Sequence, residues 1–300
     1  MNDFIIAYEP LLTLMAINCL LAFSQYVVLR AGVFSKATAG LAGLGAYAAA
    51  ITNVTFGWPA PLSFLFAIVV GGVLAFLISV PLQRLRGVFQ AIATLAFVQI
   101  VVAVLLLTES LTGGAFGFNN IPKLVNVWHV LLVTAGAFYI LYALNRSSVG
   151  RAFDTIRQDE TVALALGMSV SFYIGLAFVL SGIFAGAAGG LIAFYTRALM
   201  PEQFGFPLLV SALAFVVLGG RISIYGPIVG SAVLTLLPEI ARPVADQKLV
   251  LYGSILVVAM IYMPDGIVDT LRNRRNSQIR AAKSAAAKTA PAAEARETQS

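Results

Sequence analysis

Arg151-Ala-Phe-Asp-Thr-Ile-Arg-Gln-Asp-Glu-Thr-Val-Ala-Leu-Ala-Leu-Gly-Met-Ser-Val170 is a polar stretch set between two apolar runs, each long enough to cross a bilayer. Spans packed as neighbours need only short connections, so a polar loop of this length has a use beyond joining them. Phe153, Ile156, Ala163, Leu164 and Gly167 recur near one face at a helical repeat, while Asp154, Arg157, Gln158 and Thr161 fall elsewhere and Glu160 interrupts the stripe. The spacing predicts a short helix over 151–167 whose apolar stripe is gripped by another protein. Gly167 is the expected point where the chain turns back toward the membrane.

The rest of the chain supplies the membrane. Its 300 residues are 60% hydrophobic and 11% charged, with a mean hydropathy of +0.92. Soluble domains carry about 25% charged residues, so the composition is that of an integral membrane protein. The apolar runs suit helices, and the two-residue alternation of a membrane barrel is absent. The single cysteine, Cys19, lies inside the first run and supports neither a disulfide framework nor a metal site. His129, the one histidine, follows Trp128 at the start of a run and reads as an interfacial side chain rather than a proton relay. The segment Met1–Pro10 has no basic n-region and the first run ends on Arg30, so that run reads as a retained span rather than a signal peptide. A net charge of +6 is concentrated at span ends and in the C-terminal tail, which is the pattern of membrane orientation and not of nucleic-acid binding.

Roughly nine apolar segments of spanning length are expected, near 10–29, 38–56, 60–80, 88–108, 126–144, 171–194, 207–220, 224–240 and 248–263. The pair 207–220 and 224–240 is short and flanks Gly219-Gly220-Arg221-Ile-Ser-Ile-Tyr-Gly226-Pro227, so a broken or re-entrant backbone is expected there, buried in protein. Alternating loops differ in charge. Arg30, Lys36, Arg84, Arg86, Arg146, Arg151, Arg157 and Arg221 fall in one set, while Lys123, Arg197, Arg242 and Lys248 fall in the other, offset by acids. The first set, about twofold richer, is assigned to the cytoplasm. An odd number of spans then places the N-terminus outside and the C-terminus inside. Residues 1–266 form the membrane domain with the cytoplasmic loop 145–170. Residues 267–300, opening on the Arg272-Asn-Arg-Arg275 cluster, form a basic tail too poor in apolar residues to pack.

No Walker A, HExxH or GxSxG motif is present, and no catalytic residue, metal ligand or cofactor is expected. The apolar runs hold no deep acid, and neither paired intramembrane charges nor inverted repeats are visible in the sequence, which weighs against a self-sufficient carrier. Small residues allow close helix packing: Gly40, Gly43 and Gly45 in the second run, and Gly182, Gly186, Gly189 and Gly190 in the sixth. Thr94, Gln99 and Ser181 are candidate pathway groups, with interhelical hydrogen bonding as the alternative for each.

Several blocks in order carry a family resemblance. Leu85-Arg86-Gly87-Val88-Phe89-Gln90, followed by Thr94-Leu95-Ala96-Phe97, resembles the LRLRGxYxAIxTLAF stretch of LivM-type permeases of branched-chain amino acid ABC transporters. Leu111-Thr112-Gly113-Gly114 with Ile121-Pro122, Gly150-Arg151-Ala152 through Ala165-Leu166-Gly167, Ala177–Ser181 with Ala185-Gly186, and Val217–Gly220 with Tyr225–Gly230 resemble further segments of that family. The resemblance implies an all-α, polytopic permease in a bacterial inner membrane that pairs with a second homologous permease. It also implies two cytosolic ATP-binding subunits, which hydrolyse the ATP, and an extracytoplasmic solute-binding protein. It further implies that the polar stretch is a coupling helix docked on an ATP-binding subunit through Arg151, Asp154, Ile156, Arg157, Glu160, Ala163, Leu164 and Gly167. Two departures stand out. Lys36, Ala37 and Thr38 replace the family's Leu, Gly and His, and Arg221 replaces a glycine. They bear on the solute, which is a branched-chain amino acid or a related small polar molecule such as urea, an amide or an organic acid. A self-sufficient carrier or channel, and a structural subunit without a pathway, are the other readings of the residues.

Overall fold

Helices make up nearly all of what the computed structural model describes, which is residues 2–240, 266–270 and 272. In order they are α1 (Asn2–Arg30), α2 (Thr38–Val54), α3 (Ala60–Leu82), α4 (Val88–Leu107), α5 (Glu109–Thr112), α6 (Val127–Arg146), α7 (Ser148–Gln158), α8 (Glu160–Ala165), α9 (Val170–Thr196), α10 (Phe206–Gly219) and α11 (Gly226–Ile240). The only β pairing among the described residues is the isolated bridge Phe118–Leu199.

Six stretches are long and apolar enough to span a membrane: Glu9–Arg30, Ala60–Leu82, Val88–Leu107, Val127–Arg146, Val170–Thr196 and Pro201–Gly219. The protein is thus a multi-pass membrane protein, with fewer full-length spans in the described part than the nine expected. The run at 38–56 forms α2, of 17 residues. The runs at 207–220 and 224–240 form α10 and α11, of 14 and 15 residues. The expected span at 248–263 and the tail beyond residue 272 lie outside the described residues. At 1.5 Å per residue α2 and α10 are about 25 and 21 Å long, short of a hydrocarbon layer of roughly 30 Å.

Both short helices begin at depth. The chain leaves α1 at Arg30, turns at Gly32 (φ +81°) and stays non-helical until Thr38. The Lys36 N–H then donates to Thr94 Oγ1 at 3.0 Å, well inside α4. In the same way 197–205 descends from the end of α9, through Arg197 at φ 64° and a 3-10 turn at Pro201–Phe204, before α10 starts. The first turns of α2 and α10 meet at the middle of α4, where Ala39, Val98 and Leu209 form one buried cluster. Non-helical backbone at this level is tolerated because neighbouring helices cover it.

α9 is the axis of the packing. It runs antiparallel to α1: Ser24 meets Ser181, and the Tyr195 hydroxyl donates to the Pro10 carbonyl at 3.3 Å. It is antiparallel to α3 as well, with Phe64 against Gly190, Gly71 against Gly182 and Gln83 against Gly175. It runs with α2, whose start lies near Ser24 and whose Tyr47 hydroxyl reaches the Leu199 carbonyl at 3.2 Å. At Gly45, Gly71, Gly182, Gly186 and Gly189 the packing of α2 and α3 on α9 is backbone on backbone. A Cβ placed on Gly45 would lie 2.7 Å from Gly186 Cα, and one on Gly189 would strike the Ala42 carbonyl. Gly40 lies against Phe97 and Val98, and Gly43 against Phe204.

The contacts also reveal an inverted order that the sequence does not display. α1, the segment 31–37, α2 and α3 run in one sense. α9, the segment 197–205, α10 and α11 repeat that order in the opposite sense, since α11 lies antiparallel to both α10 (Gly219 against Gly226 and Gly230) and α1 (Asn18 Nδ2 donating to Thr235 Oγ1 at 3.0 Å).

Candidate functional site

The polar stretch lies at the end of the bundle where Arg30, Arg86, Arg146 and Arg157 gather, and it folds as two helices instead of the single one expected over 151–167. Ser147 caps α7, its hydroxyl accepting from the Gly150 N–H at 3.4 Å. The break falls at Asp159, which leaves the helical region (φ −157°, ψ 113°) so that its carboxylate can cap α8. That carboxylate accepts from the N–H groups of Thr161 (2.7 Å) and Val162 (3.2 Å). Those donors hold its pKa below the usual 3.8. The cap's contribution is therefore complete above the usual carboxylate value and fades only as pH falls through the depressed one. α8 ends in a Schellman turn: the Met168 N–H donates to the Ala163 carbonyl (3.1 Å), and Gly167, at φ +77°, donates to that of Leu164 (2.9 Å).

Three of the five residues of the apolar stripe face the protein's own bundle, while Leu164 and Gly167 are exposed. Phe153 and Ala163 are fully buried and Ile156 nearly so. Ile156 and Ala163 cluster with Val170, Met168, Tyr173 and Ile174, and the Phe153 ring meets that of Tyr173 edge-on at 6.5 Å. This corrects the expected outward stripe: helical periodicity reports a buried face, and here α9 and α1 bury it. What α8 leaves in the open is a second apolar set, Val162, Leu164 and Leu166, at 50, 53 and 65% exposure. Of these the sequence reading named only Leu164. The i, i+4 spacing of Val162 and Leu166 is the signal that could have found the others.

Ion pairs fix this unit to the spans. Arg30, buried at the end of α1, donates to Asp154 through Nε (3.2 Å) and Nη2 (2.9 Å). Arg157 approaches the same carboxylate at 3.9 Å, and its Cα packs on Gly32. Glu160 accepts from Arg86 of the α3–α4 loop at 2.8 Å, an exposed pair worth at most about 1 kcal/mol. Arg151 is exposed and donates to the Arg146 carbonyl at 3.4 Å. Arg30 and Arg86 were not singled out from sequence, because their partners lie 124 and 74 residues away.

The three candidate pathway groups do not converge. Ser181 and Ser24 share a hydroxyl–hydroxyl bond of 2.9 Å, and Ser24 also donates to the Ser181 carbonyl at 2.8 Å. The same buried seam continues from Thr38 Oγ1 to Gln25 Oε1 (2.8 Å) and from Gln25 Nε2 to the Ser35 carbonyl (2.8 Å). Thr94 accepts from the Lys36 N–H and donates to the Gln90 carbonyl. Gln99 is exposed on α4, with Gly205 close by. Thr94 and Ser181 thus hold the 31–38 segment in place. Thr94→Val leaves the Lys36 N–H without its acceptor, and stability should fall by about 1–3 kcal/mol. The check is thermal unfolding in detergent, with Gln99→Leu expected to melt as the parent does.

Among the described residues no three His, Cys, Asp or Glu side chains gather to hold a metal ion. His129 closes a capping box with Asn126 at the start of α6.

Residues 7–263 match the family model described as branched-chain amino acid transport system / permease component. The chain is 29% identical over 296 residues to the high-affinity branched-chain amino acid transport system permease protein LivM of Escherichia coli K12, covering 86% of this chain and 67% of that one. It is 28% identical over 144 residues to the LivH permease protein of the same organism, covering 47% and 46%. A probable LivH of Methanocaldococcus jannaschii is 25% identical over 293 residues, covering 87% and 90%. No solved structure matches.

Proposed function

Because the chain belongs to the family of permease components of branched-chain amino acid transport systems, we propose that it is one transmembrane subunit of an ATP-driven importer in a bacterial inner membrane. It passes branched-chain amino acids, or closely related small polar solutes, delivered by an extracytoplasmic binding protein. A second, homologous permease completes the conduit, and two cytosolic subunits hydrolyse the ATP. The similarity of one chain to both LivM and LivH relatives supports a pair of homologous permeases. The basic end faces the cytoplasm, with the N-terminus outside and the C-terminus inside.

The observation that carries the coupling role is the pairing of a buried and an exposed apolar set on α7–α8. Phe153, Ile156 and Ala163 anchor the unit to α9, and Asp154 ties it to α1. That leaves Val162 and Leu166, four residues apart on one flank of α8, and Leu164 on the other as exposed apolar groups, offered to a groove on an ATP-binding subunit. Force arriving at α8 then reaches α1 and α9 through fixed contacts.

In the assembled complex, Leu164→Asp should lower solute-stimulated ATP hydrolysis and uptake by more than tenfold, because a desolvated carboxylate in an apolar groove costs several kcal/mol. Insertion and melting of the subunit should stay unchanged, since Leu164 is solvent-facing in the isolated chain. In the intact cell a Leu164→Cys variant should react with an impermeant thiol reagent only from the cytoplasmic side, Cys19 being buried. Labelling from outside overturns the orientation, and normal coupling in Leu164→Asp overturns the contact. The inverted order of α1–α3 and α9–α11 is shared with self-sufficient carriers. Such carriers also place charged relays within their spans, whereas the acids of the six apolar spans, Glu9 and Glu202, lie within the first two residues of their spans.

A further inference from the structure

Between the last turn of α6, the turn 222–225 and the residues Val268 and Arg272 lies a cavity of about 520 Å³, lined also by Tyr142, Asn145, Arg146 and Tyr225 among others. That volume is within the range of small-molecule sites, about 300–1,000 Å³, and far above what a single ion needs. Two of its lining groups are guanidinium ions, and among the described residues neither is in an ion pair. The Arg146 guanidinium lies 4.6 Å above the Tyr142 ring, which holds it on the wall. No acid is among the lining residues, and Asp269, whose buried carboxylate accepts from the N–H groups of Ile222 (2.8 Å) and Ser223 (3.0 Å), is outweighed by the two guanidinium groups. The cavity therefore carries net positive charge.

The rim is apolar, with Ile222 and Tyr225 each about half exposed, and it lies at the level where α6 ends on Arg146 and α11 begins at Gly226. This is the level of the bilayer interface.

We propose that the cavity binds the head group of an anionic glycerophospholipid. Arg146 and Arg272 take the phosphodiester, and the acyl chains leave over Ile222 and Tyr225. Guanidinium groups suit phosphate oxygens in shape and charge, and basic pockets between spans at the membrane surface are suited to such head groups. A free phosphate ion offers the same oxyanion but not the apolar chains. The site is independent of the solute and of the coupling contact.

The test uses the full-length protein in a nonionic detergent, probed with phosphatidylglycerol, phosphatidylcholine and inorganic phosphate. Phosphatidylglycerol should be retained in native mass spectra and should raise the melting temperature at concentrations where phosphatidylcholine does not. The double variant Arg146→Gln/Arg272→Gln should bind it about tenfold more weakly. Arg221→Gln, an exposed arginine outside the cavity lining, should bind it as the parent does. Equal stabilisation by phosphatidylcholine overturns the proposal, and equal stabilisation by inorganic phosphate overturns the lipid assignment. An equal loss in Arg221→Gln shows diffuse surface attraction in place of a site. The comparison of the three probes on the unmodified protein decides the matter even where the double variant fails to fold.

Discussion

Gly189→Leu should leave no recoverable folded protein in the membrane. A Cβ at this position meets the Ala42 carbonyl and comes within 2.8 Å of the Ala46 nitrogen. Both are backbone atoms of α2, so no rotamer change makes room. Moving α2 away from α9 is blocked from behind, where Gly40 and Gly43 already touch Val98 and Phe204. Overpacking by extra methylenes costs about 1–3 kcal/mol where side chains can shift, and occasionally more. With backbone on both sides the cost should lie above that range, a large part of the roughly 5–15 kcal/mol that holds a typical protein together. Gly136→Leu is the control, because nothing lies within 4 Å of its Cβ position. The measure is the yield of monodisperse protein in detergent and its melting temperature. A Gly189→Leu protein with parental yield and melting would show that α2 and α9 do not pack as described.

Asp154→Ala should uncouple the protein while leaving most of it inserted. The carboxylate accepts from both Nε and Nη2 of Arg30, which is only 7% exposed, and it has Arg157 beside it. Removing it leaves one nearly buried cation unpaired and two guanidinium groups facing each other. Losing one partner of a fully buried pair costs about 3–5 kcal/mol. Asp154 is partly open to solvent, so about 2–3 kcal/mol is the better expectation here. The loss falls on the joint between α1 and α7, and solute-stimulated ATP hydrolysis in the complex should drop at least tenfold. Asp154→Glu, which retains the charge, should recover part of the activity. If Asp154→Ala supports normal coupled transport, the joint carries no force.

The membrane class was legible from composition, and the family from short blocks such as Leu85–Gln90 and Gly150–Gly167. Depth was not. The run at 38–56 reads as a full span because Ala and Gly are apolar wherever they lie, and nothing in Lys36-Ala-Thr38 says that helix begins only there, halfway along α4. Orientation of a stripe was not legible either. The spacing of Phe153, Ile156 and Ala163 reports one sheltered face but not what shelters it, and the partner of choice turned out to be α9 of the same chain. Thr94 and Ser181 illustrate a third gap. A hydroxyl inside a span is equally well a conduit wall or a bolt, and the difference is made by Lys36 and Ser24, residues whose proximity no local pattern records.

The glycine seam of α9 also has a mechanical meaning. Where backbone rests on backbone there are no long side chains to flex, and sliding by a fraction of a turn brings a carbonyl against a Cα. α2 and α3 therefore cannot slide along α9 without a clash, and whatever motion transport requires has to be found where side chains, and not backbone, make the contact.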